Sequence, residues 1–474
     1  MKYTYFNFKK WNDQQILLTN DLGRWAFVSL PTFQAMLLHR LDSTDPSYAE
    51  LLEKGFLYED DADVYLERHS RALREAKGYL MDATSLHIFV LTNECNARCI
   101  YCQAQSTASH KKGLMSAETA KKAVNLAFQS PEPFLSIEFQ GGEPLLNFDT
   151  LQVIVSEAEK KAAETRKKVE FSLVSNLNLL TEEMVRFFQE HHVSVSTSID
   201  GPMRLHNTNR PLCQGGGTYE GTIRGLKRLQ EADVCVGAIE TTTRYSLNHW
   251  KELVDEYRAL GLHSIFLRPL TPLGFANADW NQVGYTADEF IAFYQKALAY
   301  VVEINRQGYF LSEGHAATFL SKILLGQGKN YMELRSPCGA AVGQMAYYYD
   351  GNVYTCDEGR MLAEMGDRAF QLGTVEDTYD SLMNSNVCKA CCVASTLEAA
   401  PTCSDCVYQP YCGTCPVLNY ALDGDVFSKI PNHYKCQTYK GMLDAVFGLL
   451  NQKNPEIDNI LDRWVREDNE EVGS

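Results

Sequence analysis

Between residues 84 and 310, short apolar segments alternate with amphipathic ones, and that alternation leaves few folds open. The apolar segments are 86–92, 135–140, 169–176, 193–200, 234–243 and 264–270. Between them, 116–128, 148–164, 181–191, 219–231 and 248–260 carry helical periodicity. Strands that follow one another through helices pair in parallel and are covered on their outer face. Six such units of roughly 30–40 residues predict an α/β fold, a partial (β/α)6 barrel. In parallel barrels the chemistry sits at the C-terminal ends of the strands.

A cysteine loop begins at that end of the first strand: Cys95-Asn-Ala-Arg-Cys99-Ile-Tyr101-Cys102. It offers three thiolates on one tight turn. Complete ligation of a [4Fe-4S] cubane takes four cysteines, so three leave one iron open to a small molecule. Zinc is the competing reading, but zinc sites favour paired C-x2-C units that close a tetrahedron.

The loop resembles the signature of radical S-adenosylmethionine (SAM) enzymes. The resemblance implies a [4Fe-4S] cluster on Cys95, Cys99 and Cys102, with SAM chelating the open iron and Tyr101 beside it. It also implies reductive cleavage of SAM to a 5′-deoxyadenosyl radical that abstracts a substrate hydrogen. Gly141-Gly142-Glu143-Pro144 follows the second strand and resembles the family segment that meets SAM's amino group. Two glycines permit close backbone approach, and Glu143 adds an anionic acceptor. Ser175 and Asn176 end the third strand, and Ser198-Ile-Asp200-Gly-Pro ends the fourth. Both resemble segments that place polar groups near SAM or substrate. His206-x3-Arg210 resembles the stretch that follows, and Arg210 offers a forked donor to a carboxylate. Capping is the ordinary alternative for Ser175 and Asp200. Arg268 faces the same mouth, and His110, His191 and His192 receive no role.

The fifteen cysteines are unevenly spread: three at 95–102, ten between 338 and 436, and Cys213 and Cys235 alone between. A disulfide framework leaves no such gap, so the pattern points to metal or redox chemistry in a cytoplasmic protein. The net charge of −16 argues against a nucleic-acid binder. No apolar run approaches a membrane span, and the first residues lack a signal-peptide core.

Cys338, Gly351-x4-Cys356, Cys403-x2-Cys406-x5-Cys412-x2-Cys415 and Cys436 resemble the SPASM module of peptide-modifying radical SAM enzymes. The last spacing is two residues where three is usual. The resemblance implies two auxiliary [4Fe-4S] clusters, one on Cys338, Cys356 and Cys415, the other on Cys403, Cys406, Cys412 and Cys436. The first lacks an evident fourth ligand, which Cys388, Cys391 or Cys392 would supply unless the site stays open. Zinc-ribbon spacing is the alternative.

The expected organisation is an N-terminal α+β unit (1–80), the barrel (84–310), a helical connector (311–337), the cysteine-rich module (338–437) and a C-terminal helix with an acidic tail (438–474). In the first unit, strands at 3–8, 15–19 and 25–29 and helices at 31–41, 48–54 and 64–80 resemble a winged-helix peptide-recognition element. A packing arm is the plainer reading. The closing helix is expected over 438–465.

Barrel plus SPASM implies modification of a ribosomally made peptide. The whole-chain resemblance is to the His-Xaa-Ser system radical SAM maturases, on 17–23, 267–270, 274–276 and 356–361. It implies a small precursor peptide, a second radical SAM maturase as partner and a flavodoxin or ferredoxin as electron donor. An anaerobic sulfatase-maturing enzyme is the alternative, with Glu313 or Asp200 as the catalytic base. A non-catalytic iron–sulfur peptide binder is the reading from another class.

Overall fold

The computed structural model describes residues 2–104, 112–326 and 334–471. The chain opens with β1 (Lys2–Tyr3), β2 (Asn7–Lys10), β3 (Gln15–Thr19) and β4 (Trp25–Ser29). The last three form an antiparallel meander. Ser29 caps α1 (Leu30–Leu37), where Pro31 occupies the first turn and its missing N–H costs nothing. Next come α2 (Tyr48–Glu53), β5 (Leu57–Tyr58), which pairs with β1, and α3 (Ala62–Ala76). The strand expected over 3–8 is therefore two strands. The first helix stops early because His39 takes a φ of 53°, and the third ends before a 3-10 turn at Gly78–Met81. Strand alternation gives the meander two buried faces. Ile16 and Leu18 pack on Phe33, Met36 and Leu51 in a small core, while Leu17 joins the main core. On that second face Trp25 and Phe27 meet Phe447 edge-on at 5.6 and 6.4 Å.

The barrel runs β6 (Leu86–Val90), α4 (Ala117–Ala127), β7 (Phe134–Gln140), α5 (Phe148–Thr165), β8 (Lys168–Val174), α6 (Glu182–Glu190) and β9 (Val193–Ser198). It continues through α7 (Met203–Asn209), α8 (Tyr219–Glu231), β10 (Val236–Thr241), α9 (Trp250–Ala259) and β11 (Ser264–Arg268). All six expected strands are present and pair in parallel. They are less uniformly apolar than strands buried on both faces. Leu135, Ile137 and Phe139 of β7 are fully buried, whereas Ser136, Glu138 and Gln140 between them are half-buried. The barrel is partial, and its inner face stays polar and accessible.

After α10 (Gly274–Ala278), α11 (Trp280–Val283) and α12 (Ala287–Arg306), a seventh short strand, β12 (Ser312–Glu313), pairs with β11 and leads into α13 (Gly314–Leu325). The cysteine-rich region also enters the sheet. Its β13 (Gln344–Tyr347) lies parallel to β6 on the other edge, followed by antiparallel β14 (Asn352–Tyr354) and β15 (Gln371–Thr374). One ten-stranded sheet results, in the order β12-β11-β10-β9-β8-β7-β6-β13-β14-β15. Gly351, at a φ of 90°, turns β13 into β14 in a conformation other residues resist.

The remaining helices are α14 (Asp357–Glu364), α15 (Tyr379–Met383), α16 (Asn386–Ser395), α17 (Pro416–Asp423), α18 (Tyr434–Leu450) and α19 (Pro455–Glu471). The single closing helix expected over 438–465 is therefore two, separated by a turn in which Lys453 takes a φ of 49°. Residues 472–474 of the acidic tail, and His110, lie outside the described residues. Among the described residues no helix is long and apolar enough to cross a membrane.

Candidate active site

The cysteine loop leaves β6 and is stitched in place from three sides. Gly142 and Glu143 donate backbone N–H groups to the carbonyls of Thr92 and Glu94 at 2.9 and 2.8 Å. A Cβ on Gly142 would stand 2.1 Å from the Glu94 oxygen, and one on Gly141 2.5 Å from the Thr92 oxygen. The two glycines thus serve first to let strand β7's end approach the loop. On the second side, Arg98 N–H donates to Pro211 at 2.7 Å and Ile100 N–H to Asn209 at 3.0 Å. On the third, Phe275 N–H donates to the Cys102 carbonyl at 3.0 Å, and a Cβ on Gly274 would meet that oxygen at 2.6 Å.

This loop forms one wall of a cavity of about 260 Å³ at the C-terminal mouth of the barrel. Cys95, Cys99, Tyr101 and Cys102 line it together with Gly141, Gly142 and Glu143. Ser175, Asn176, Ser198, Arg210 and Arg268 line it as well. The expected cofactor side chains are thereby gathered in one place.

Glu143 is buried and held by three donors: Ser175 Oγ at 2.7 Å, Asn176 N–H at 2.9 Å and Leu145 N–H at 3.2 Å. Burial nonetheless pushes its carboxyl up to about 7, against the pull of those bonds. Burial also pushes the Cys99 thiol up to about 12, opposed by the Arg210 guanidinium, whose Nη1 lies 3.8 Å from the sulfur. Holding these sulfurs as thiolates therefore calls for a positive centre among them, the role a metal cluster plays. Three convergent thiols beside a buried carboxylate and polar strand ends fit a cluster with an amino-acid cofactor.

Neither Asp200 nor Glu313, the expected bases, lines the cavity. Asp200 is fully buried and accepts Tyr101 Oη at 2.7 Å, Arg210 Nε at 2.9 Å and Thr241 N–H at 3.2 Å. It fixes the back of the cysteine loop. Glu313 caps α13, accepting from the Ala316, His315 and Leu267 N–H groups at 2.8, 3.3 and 3.2 Å and from Tyr294 Oη at 2.5 Å. Arg210 has Asp200 as its carboxylate partner within the chain and stacks over Tyr101 at 5.2 Å. His191 pairs with Glu159 far from the cavity.

The opposite wall was not foreseen. It comes from His315 of α13, Met361 of α14, Leu418 of α17 and Tyr434, Lys435, Thr438 and Tyr439 of α18. No local spacing marks these residues. They meet because α13 packs on β11 and on α18, and because the helices that follow β13 return to the barrel mouth.

The C-terminal cysteines form two groups. Cys403, Cys406, Cys412 and Cys436 line one small cavity of about 40 Å³. Cys338, Cys356 and Cys415 share a buried apolar cluster, and Cys391 joins them. Among the described residues no three His, Cys, Asp or Glu side chains are drawn tightly enough to hold a single metal ion.

Residues 89–256 match the radical SAM superfamily. The chain is an enzyme with a radical SAM domain. It is 25% identical over 385 residues to the cysteine-type anaerobic sulfatase-maturating enzyme of Clostridium perfringens, covering 79% of this chain and 99% of that enzyme. The structure of anSMEcpe with bound AdoMet superposes with a TM-score of 0.68 at 22% identity, over 80% of this chain and 99% of that chain. Streptococcus suis SuiB with bound S-adenosylmethionine gives 0.53 at 15% identity, over 90% and 98%. Both likenesses establish the fold: a partial barrel with small N-terminal sheets and a C-terminal cysteine-rich region. anSMEcpe has also been solved with the Kp18Cys peptide, and SuiB with its precursor peptide SuiA.

Proposed function

We propose that this radical SAM enzyme is a peptide maturase that modifies a ribosomally made precursor at a C–H bond, by cross-linking or a related oxidation, and carries two auxiliary [4Fe-4S] clusters. The observation behind this reading is the two-sided cavity. The cysteine loop and the strand ends make one wall, and helices of the cysteine-rich region make the other.

A [4Fe-4S] cluster on Cys95, Cys99 and Cys102, with SAM on its open iron, supplies a 5′-deoxyadenosyl radical when bound there. The chain's own residues do the rest. Glu143, locked by Ser175 and Asn176, offers an acceptor to an ammonium group. Ser198 and Arg268 present polar groups from the ends of β9 and β11. Arg210 and Tyr101 hold the loop through Asp200. Met361, Leu418 and Tyr439 supply an apolar wall against which a peptide side chain excludes water. His315 lines the cavity next to Glu313. Its Nδ1 lies 4.0 Å from Glu313 Oε1. Cys403, Cys406, Cys412 and Cys436 hold one auxiliary cluster, and the set around Cys338, Cys356 and Cys415 the other.

The finer assignment is to the His-Xaa-Ser system maturases, with a second maturase as partner and a flavodoxin or ferredoxin as donor. Two segments that support it lie at the site: Gly274–Phe275 clamps Cys102, and Met361 lines the cavity. Sulfatase maturation is the second reading, favoured by a match that spans 99% of the Clostridium perfringens enzyme.

Anaerobic reconstitution should give about 12 irons per chain, as three cubanes. Dithionite and SAM should then yield 5′-deoxyadenosine. A Cys95→Ala/Cys99→Ala/Cys102→Ala variant should keep about 8 irons and yield none. Retention of all the iron, or nucleoside from the variant, refutes the partition. Incubation with a His-x-Ser repeat peptide and with a sulfatase peptide, read by mass spectrometry, separates the two substrate readings.

A further inference from the structure

Four cysteines of the C-terminal region converge from four separate elements. Cys338 precedes β13, Cys356 caps α14, Cys391 lies within α16 and Cys415 caps α17. Their exposures are 4, 2, 1 and 5%, inside one cluster with Leu362, Phe370 and Val417. Within this cluster Cys338 is in electrostatic reach of Cys391 and Cys356, and Cys415 of Cys356 and Cys391, so the four thiols form one interacting ring.

Three cysteines on α16 compete for this place, and helix geometry separates them. Successive helical residues are about 100° apart, so Cys391 points about 100° from Cys392 and about 60° from Cys388. Cys388 and Cys392 are four apart and hydrogen-bond each other, and Cys392 lies near Arg335. Cys391 is rotated away from that pair, into the ring. A fully buried serine sets its depth. Ser395 Oγ donates to the Cys391 carbonyl at 2.6 Å and accepts the Cys338 N–H at 2.9 Å, so the two cysteine backbones are tied together. Two further sulfurs sit where anions are favoured. Gly359 N–H donates to Cys356 Sγ at 3.3 Å and Leu418 N–H to Cys415 Sγ at 3.5 Å, each at a helix N-terminus.

We propose that Cys391 is the fourth thiolate of the auxiliary centre on Cys338, Cys356 and Cys415, which closes that centre and leaves none of its iron open to the peptide. The inference rests on the iron–sulfur reading of this region. It deepens that reading: peptide binding falls to the cavity walls, with no iron–peptide bond to the auxiliary centre.

The test uses the full-length chain carrying Cys95→Ala/Cys99→Ala/Cys102→Ala, which removes the open iron of the first cluster. After anaerobic reconstitution and reduction, its electron paramagnetic resonance spectrum should not change when cyanide is added. Adding Cys391→Ser should either halve the iron, from about eight to about four per chain, or produce a spectrum that shifts with cyanide. Cys388→Ser and Cys392→Ser should keep both the iron and the parent spectrum. A cyanide-dependent parent spectrum overturns the proposal, as does either control reproducing the Cys391→Ser change. The parent measurement needs no substitution on α16, so it stands even if Cys391→Ser fails to fold. Absence of iron from the parent overturns the iron–sulfur reading as well, a result distinct from iron that ignores Cys391.

Discussion

Replacing Arg210 with Met should destabilise the barrel even without any cofactor. Asp200 is completely buried and Arg210 is 12% exposed at its side chain, so the pair lies outside the range of surface ion pairs worth little. Removing one partner of a buried pair costs about 3–5 kcal/mol, because the remaining charge has nowhere to go. Here Tyr101 Oη and Thr241 N–H still donate to Asp200, which places Arg210→Met at the lower end of that range. A loss of about 3 kcal/mol corresponds to a fall in Tm of roughly 5–10 °C in a unit of this size. The assay is anaerobic thermal and urea denaturation of the SAM-free protein, followed by circular dichroism. The decisive comparison is the double variant Asp200→Asn/Arg210→Met. It carries no stranded charge and should recover at least about 1 kcal/mol relative to Arg210→Met. If the double variant is no more stable than the single one, or if Arg210→Met melts with the wild type, Asp200–Arg210 is not the clamp described.

Gly142→Ala should displace the cysteine loop, since its methyl would meet the Glu94 carbonyl at 2.1 Å; reconstitution should then lose about four irons, read by iron assay. Glu313 has its carboxyl raised by burial to about 7, so the folded state holds the extra proton between about 4.5 and 7, and stability from this group falls as pH rises through that window. Glu313→Gln should therefore make the unfolding free energy from urea titrations rise more with pH, by about 3 kcal/mol in total across the window, and parallel pH profiles would refute this. Lys9 pairs with Asp444 at 2.5 Å, but both side chains are about one-third exposed, so Lys9→Met should cost at most about 1 kcal/mol in the same denaturation assay.

The barrel was legible in the sequence because its signal is local. Each strand carries its own apolar run, each helix its own amphipathic face, and chain order equals sheet order from β6 to β11. Where order and neighbourhood part, the reading stopped. β13 is only Gln344–Tyr347, mixed in composition, and pairs with β6 far earlier in the chain, so no periodicity announces it. The surroundings of Asp200 and Glu313 were hidden for a related reason. A carboxylate at a strand end looks available until its partners are known, and Tyr101, Thr241, Tyr294 and Leu267 are distant in sequence. Motif glycines were read toward a ligand, whereas the clash distances show them pressed first against the cysteine loop. The choice among Cys388, Cys391 and Cys392 was closed to spacing alone, because it depends on the rotational phase of α16.

The continuity of the sheet gives the cysteine-rich region a defined distance from the reaction cavity. Cys356 and Cys415 are the N-caps of α14 and α17, and Met361 and Leu418 on those same helices line the cavity. Three to five residues of helix rise about 4.5–7.5 Å. Cys356, Cys415 and the cavity wall therefore stand on common, rigid supports about one helical turn apart. The hairpin β13–β14 that delivers Cys356 is in turn bonded to β6, the strand that launches Cys95. A shift of the hairpin would move Cys356, the apolar wall and the edge of the barrel together. The cavity is thus a joint property of both regions, so cutting the chain between barrel and cysteine-rich region would remove the wall that Met361, Leu418, Tyr434 and Tyr439 build and leave β6 an open edge.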